Sequence, residues 1–274
     1  MMKTNLHPAE QRAAFLPPAL RWWPVFLRNL LVWRKLALPS LVGNVAEPLI
    51  TLVAFGYGLG ALIGTVPWGG SGQAVPYLVF LASGSICMSA INAATFEAMF
   101  SAFSRMHVQK TWESIMNAPI DLRDVLRAEM LWAAFKALFS ATVILVVMAA
   151  LDISRSPMLL LAWPVLLVAG VVFSSIALIV NALAKGYDFF TYYFTLVLTP
   201  MTFLSGVFFP RENLPGWLHA VSECLPLTHV VELVRPLFLG HWPAQPWLHL
   251  AVLAIYGWVA WRIALALTRR RFRS

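Results

Sequence analysis

The chain has 274 residues, 60% hydrophobic and 12% charged, with a mean hydropathy of +0.74. A soluble domain carries about 45–50% apolar and about 25% charged residues, so this composition excludes one and indicates an integral membrane protein. The formal net charge of +8 does not indicate nucleic-acid binding, because the basic residues flank apolar runs instead of forming one face. The sequence contains no G-x-x-x-x-G-K-[ST], H-E-x-x-H, G-x-S-x-G or C-x-x-C string, so it offers no phosphate-binding loop and little enzyme chemistry of its own. Cys87 and Cys224 are not expected to meet.

A membrane-crossing helix needs ~20 mostly apolar residues. Six stretches qualify, at about 39–63, 76–100, 130–151, 158–182, 189–209 and 248–267. They are read as a single domain over 39–268, with an N-terminal segment 1–38 before it and a basic tail 269–274 after it. Lys3, Arg12, Arg21, Arg28, Arg34 and Lys35 precede the first span. Arg105, Lys110, Arg123 and Arg127 lie between the second and third, Lys185 between the fourth and fifth, and Arg269, Arg270, Arg271 and Arg273 after the sixth. The opposite loops hold only Arg155, Arg211 and Arg235, so the positive-inside rule places both termini in the cytoplasm.

Residues 1–19 are polar and proline-punctuated, with no apolar core after Lys3 of the kind a signal peptide needs. From Arg21 to Leu36, Arg21, Arg28 and Lys35 share one helix face, and Trp22, Phe26, Leu30 and Trp33 crowd another. This predicts an interfacial helix with cations toward lipid phosphates and tryptophans at headgroup depth; a cytosolic extension of the first span with snorkelling cations is the alternative. Gly56, Gly60 and Gly64 recur every fourth residue in the first span, a spacing that lets another helix approach closely. Gly69, Gly70 and Gly72 make a short outer loop.

The loop 101–124 is the main cytoplasmic feature. Thr111 can cap a short helix with Glu113 in its first turn, and Trp112, Ile115 and Met116 form one apolar face. Pro119 ends it, and Asp121 with Asp124 caps the next helix. Such a helix suits either a partner's groove or the membrane surface, with Trp112 as anchor. Glu47, Glu97 and Lys136 are the ionisable residues inside or near spans, read as an interhelical ion pair or inner gate, or as snorkelling and structural groups. Phe189, Phe190, Tyr192, Tyr193 and Phe194 either line a path or pack the fifth span. His219, His229, His241 and His249 match no metal spacing, so no metal is expected.

Leu204–Gly240 is too broken by Pro210, Pro215, Pro226 and Pro236 to cross a bilayer as one helix, and too apolar for a solvated loop. It reads as a re-entrant helix–break–helix hairpin. Pro215 opens a helix carrying Trp217, Leu218, Val221 and Leu225 on one face. After Pro226 a second helix carries Val230, Leu233, Val234 and Leu237 on one side, with Glu232 and Arg235 on the other, and Gly240 closes it.

LSGVFFPRENLP followed by LPLTHVVELVRPLFLG resembles the last third of the ABC-2 type permeases, the membrane subunits of bacterial ATP-binding-cassette exporters, and within them the nodulation protein J branch. The resemblance implies an all-α integral membrane protein of the bacterial inner membrane. It has six transmembrane helices, an N-terminal interfacial helix, a cytoplasmic coupling helix and an outer re-entrant hairpin between spans five and six. It further implies two copies of the chain and two copies of a separate ABC ATPase subunit that holds Mg-ATP, with no cofactor in this chain. The ATPase would dock on Thr111, Trp112, Glu113, Ile115 and Met116 and on the N-terminal helix, and Phe208, Phe209 and Trp217 would lie near the exit. The substrate class implied is amphiphilic: a lipo-oligosaccharide, a glycolipid or a drug-like molecule. The rival reading, an ion-coupled secondary transporter, calls for paired broken spans and mid-membrane acids, and only one broken region is visible.

Overall fold

A computed structural model describes residues 17–68, 73–154 and 156–273, with the side chains of Leu41, Asn44, Val45, Glu47 and Gln73 outside that description. Most of the loose stretch expected over 1–19, the glycine loop at 69–72 and Arg155 also lie outside it. The helices are α1 (Trp23–Arg34), α2 (residues 37–63), α3 (Tyr77–Val108), α4 (Thr111–Met116), α5 (Leu122–Ala150), α6 (Leu159–Leu183), α7 (residues 188–204), α8 (Gly216–Glu223), α9 (Pro226–Phe238) and α10 (Pro246–Arg271). By length and composition, α3, α5, α6 and α10 can each cross a membrane. Where α2 was expected to span, the shorter apolar stretch is Pro48–Ile63.

Prolines and wide turns explain the irregular helices. Pro48 sits inside α2, where it donates no hydrogen bond and crowds the carbonyl four residues back, and α2 is π-helical from Leu52 to Leu59 just beyond it. The second half of α3 is π-helical at Glu97–Ser101 and Ser104–Val108, and α7 at Phe194–Leu198. Wide turns of this kind re-aim side chains and recur at functional sites.

α6 is the hub, packed against α10, α5, α3 and α9. Small residues are prominent in its contacts: Ala162, Ala169 and Ala177 on α6, Ala134, Ala137 and Ala141 on α5 and Ala82, Ala90 and Ala94 on α3 all have no measurable exposure, and Gly170 on α6 is buried. In lipid, where apolar burial gives helices no reason to associate, close backbone approach and its dispersion contacts hold them together. Gly170 marks a close backbone approach between α5 and α6, since a Cβ there would lie 2.8 Å from the Ala134 Cα. Gly170→Ala is therefore expected to destabilise by roughly 1–3 kcal/mol, because overpacking against backbone outweighs the gain in helix propensity. Gly58→Ala, with nothing within 4 Å of the added methyl, serves as control. Thermal unfolding in detergent checks this, and equal midpoints for the two variants would refute it.

Several expectations change in the folded chain. Among the described residues the fold is helical apart from one short antiparallel hairpin, β1 (Thr65–Trp68) with β2 (Gln73–Pro76), in which buried Val66 lies opposite buried Val75. A pair of four-residue strands leaves too few alternations to be read from sequence. Gly56 backs onto the Leu78 side chain of α3, and a Cβ at Gly60 would lie 3.8 Å from the Tyr77 ring. A Cβ at Gly64 would meet nothing within 4 Å among the described residues; at φ +69 it terminates α2, a left-handed role. α1 lays Phe26 and Trp33 on α5: Phe26 meets Trp132 at 5.8 Å and Phe135 at 5.9 Å, and Trp33 meets Phe139 at 4.9 Å, all edge to face. Stacked aromatic faces gain from offset and edge-on contact, which a neighbouring helix supplies and water does not. At the other end Arg271 is no free tail residue; its Nη1 donates to the Ala184 carbonyl at 2.6 Å and to those of Asn181 and Ala182, capping the end of α6.

Candidate functional site

The site is built where α3, α4 and α5 meet. Lys110 takes a left-handed conformation at φ 54 and forms the cap of α4, so Thr111 is the first helical residue and not the cap. That sharp entry turns Trp112 inward. It is 1% exposed, stacks on Phe272 with centroids 6.3 Å apart, and its Nε1 donates to Glu129 Oε1 at 3.1 Å. The docking face expected to include Trp112 therefore loses it to the core. The exposed residues of this turn are Glu113, Ser114 and Asn117, with Ile115 and Met116 half-buried.

Behind Trp112 lies a buried ion network. Arg105 reaches Glu129 from two nitrogens, Nε to Oε1 at 2.9 Å and Nη2 to Oε2 at 2.5 Å, and the same Nη2 meets Glu97 Oε1 at 2.9 Å. Trp132 Nε1 also donates to Glu97 Oε1, at 2.9 Å, and Lys136 Nζ donates to Glu97 Oε2 at 2.8 Å. Glu97 and Glu129 are 4% and 1% exposed. Two carboxylates and two cations cancel, and every carboxylate oxygen has a donor; buried charges are tolerable only under those two conditions. Arg28 of α1 faces the same cluster; burial first and Arg105 second pull its pKa below the ordinary arginine value, partly offset by Glu129.

Lys136 turns to Glu97, whose carboxylate is unpaired on that side without it. Its ammonium stands in the wall between two clefts. One, about 510 Å³, lies among α2, α3 and α7 and is lined by Asn92, Phe96, Phe194, Thr199 and Phe208 among others. The other, about 540 Å³, runs toward α1 past Arg28, Trp33, Glu97 and Arg105. Phe96 and Lys136 line both. Clefts of this volume with aromatic walls and a few polar groups suit small amphiphilic ligands.

At the far end of the bundle, α8 and α9 form a helix–break–helix pair. Arg235 was expected on the polar side of α9, yet it is 5% exposed. Its guanidinium sits 3.7 Å over the Phe80 ring, Nε donates to Ser83 Oγ at 2.9 Å, and Nη2 donates to the Gly206 carbonyl at 2.6 Å. Gly84 leaves the space: a Cβ there would meet the Val207 carbonyl at 2.6 Å. Arg211 pairs with Glu232 at 3.0 Å, and His229 meets His249 through their Nδ1 atoms at 2.8 Å. Pro210 is buried, Phe208 and Phe209 are half-buried, and Trp217 is exposed; Pro215 caps α8 and Pro226 opens α9. Cys87 is buried and Cys224 exposed, both as free thiols.

Comparison with known proteins decides what kind of molecule carries these features. The ABC-2 type transporter family profile matches residues 24–239. The chain belongs to the ABC-2 type transporter family. It is 41% identical over 263 residues to nodulation protein J of Sinorhizobium fredii, covering 96% of this chain and 98% of that one. It is 44% identical over 252 residues to nodulation protein J of Rhizobium leguminosarum bv. viciae, covering 92% and 95%. The inner membrane transport permease YadH of Escherichia coli is 27% identical over 203 residues, covering 73% and 77%.

An ABC-2 type chain is an integral membrane transport subunit, and the family implies an ABC ATPase as partner. Of the three ionisable residues singled out in this ABC-2 permease, the structure brings Glu97 and Lys136 together, while the Glu47 side chain lies outside the description. Sequence reasoning missed Arg105, Glu129 and Trp132. Glu129, Trp132 and Lys136 fall at i, i+3 and i+7, one face of α5, and that spacing was the available signal. It went unused because the third span was read as starting at residue 130, and α5 begins eight residues earlier, at Leu122.

Proposed function

We propose that this chain is the permease subunit of an ATP-driven exporter that moves an amphiphilic substrate outward from the cytoplasm or inner leaflet. In this reading α2, α3, α5, α6, α7 and α10 are the six membrane crossings. Both termini and α4 face the cytoplasm, and α8–α9 is re-entrant from the outside. Two copies pair, and two ATPase subunits binding Mg-ATP engage α4, the coupling helix. The basic residues around α1, α4 and the end of α10 support the orientation. The aromatic and hydroxyl-lined cleft beside Lys136 supports an amphiphile, be it a lipo-oligosaccharide, a glycolipid or a drug-like molecule.

The observation that carries the proposal is the unbroken hydrogen-bonded path from α4 to that cleft. Trp112 binds Glu129, Glu129 binds Arg105, Arg105 binds Glu97, and Glu97 binds Lys136 in the cleft wall. A push on α4 during ATP-driven closure then moves α3 and α5 as one body and shifts the wall, the rigid-element coupling that alternating access needs. The rival reading as an ion-coupled transporter needs an acid free to load an ion, and the two acids of the network, Glu97 and Glu129, are already held by cations.

Co-expression with the cognate ATPase tests the docking face. Ser114→Arg with Asn117→Arg places two bulky cations on the exposed turn. The ATPase recovered with the tagged permease is expected to fall by about tenfold, the equivalent of about 1.4 kcal/mol. Full recovery with the double variant would show that the ATPase docks elsewhere.

A further inference from the structure

A third cleft, about 160 Å³, is formed by the β-hairpin, the Arg211 turn, α9 and the loop leading to α10. That is the space of about five waters at ~30 Å³ each, too small for a chain and enough for one ring. Trp68 and Trp242 line it together with Arg211, Glu212, Glu232 and Arg235. Arg235 is buried, and among the described residues no carboxylate stands within ion-pair distance of it. Its Nε and Nη2 are engaged by Ser83 and Gly206, while Nη1 has no hydrogen bond among the described residues and keeps some accessible surface, and Arg235 lines the cleft. A buried guanidinium with one donor edge left facing a space is built to receive an acceptor.

We propose that this cleft binds one neutral sugar ring. Indole faces pack against the apolar C–H face of a pyranose. Each hydroxyl both donates and accepts, so a polyol can use the Arg235 donors and the Glu232 acceptor at once. Charge selects against an anion: Arg211 and Arg235 are matched by Glu212 and Glu232 around the same space, so a phosphate or carboxylate would face two like charges. The cleft lies at the end of the bundle that carries α8–α9 and away from α4. That the ring belongs to the headgroup of the exported amphiphile rests on the function proposed above, whereas the site's chemistry does not.

The test is isothermal titration of the purified full-length permease in detergent with glucose, and separately with glucuronate and with inorganic phosphate. Saturable glucose binding is expected, tighter than either anion. Trp242 is 64% exposed, so Trp242→Ala should leave the thermal unfolding midpoint in place while weakening glucose binding about tenfold. Arg235→Lys, which keeps the charge and loses the forked donor edge, should weaken it as well. Absence of saturable glucose binding, wild-type affinity in Trp242→Ala, or tighter binding of phosphate or glucuronate would each overturn the proposal. ATPase recovery is scored on the same preparations. Normal recovery without glucose binding removes this site alone, and glucose binding without any ATPase partner removes the exporter reading alone.

Discussion

Glu97→Ala is expected to destabilise the permease by roughly 3–5 kcal/mol, the cost of leaving a buried charge without its partner. The carboxylate takes donors from Arg105, Trp132 and Lys136. Without it Arg105 keeps Glu129, but Lys136 loses the partner that holds its ammonium in the wall, and Trp132 Nε1 loses its acceptor. The sign of the second step is the sharper part. Glu97→Ala combined with Lys136→Ala removes one charge of each sign and leaves the Arg105–Glu129 pair intact, so the double variant should be more stable than Glu97→Ala alone despite carrying one more substitution. Glu97→Gln keeps the shape and one acceptor oxygen and should fall between them. Thermal unfolding in one detergent ranks the three. A double variant no better than the single one would assign the loss to the Trp132 contact and the vacated volume, and not to charge.

Trp112→Ala is the second large effect. The indole is fully enclosed, stacked on Phe272 and bonded to Glu129, so truncation should cost roughly 3–5 kcal/mol. Trp112→Phe retains most of the buried area and removes only the hydrogen bond to a charged acceptor, at roughly 1.5–3 kcal/mol. The functional expectation separates docking from transmission. Ser114 and Asn117 stay exposed in Trp112→Phe, so the ATPase should still co-purify. Its stimulation by transported amphiphile should fall, because the first link of the path from α4 to Lys136 is gone. Wild-type stimulation in a folded Trp112→Phe complex would show that force passes by another route.

The two sites differ in how readable they were. The helix–break–helix pattern within Leu204–Gly240 was legible because its prolines and apolar runs mark breaks and faces locally, and α8 and α9 begin at Gly216 and Pro226 as that punctuation directs. The face of Arg235 was not legible. Helical periodicity put it with Glu232, but Gly84 on α3, distant in sequence, leaves room beside Phe80 that the Arg235 guanidinium occupies. Trp112 fails for the same reason. Spacing groups it with Ile115 and Met116, yet the left-handed Lys110 sets the roll of α4 and turns the indole to Glu129.

The sequence by itself determined that the chain lives in a membrane, where most of its long helices run, which loops are basic and which family it resembles, because these follow from transfer energies and local patterns that each residue carries alone. Only the tertiary structure decided that Arg105 and Glu129 join Glu97 and Lys136 in one neutral network, that α1 leans on α5, and that Arg235 keeps a donor edge open beside Trp68 and Trp242. Each of those depends on which helix stands opposite. In lipid that choice is made by small residues such as Gly170 and Gly84, whose effect appears only when two backbones meet.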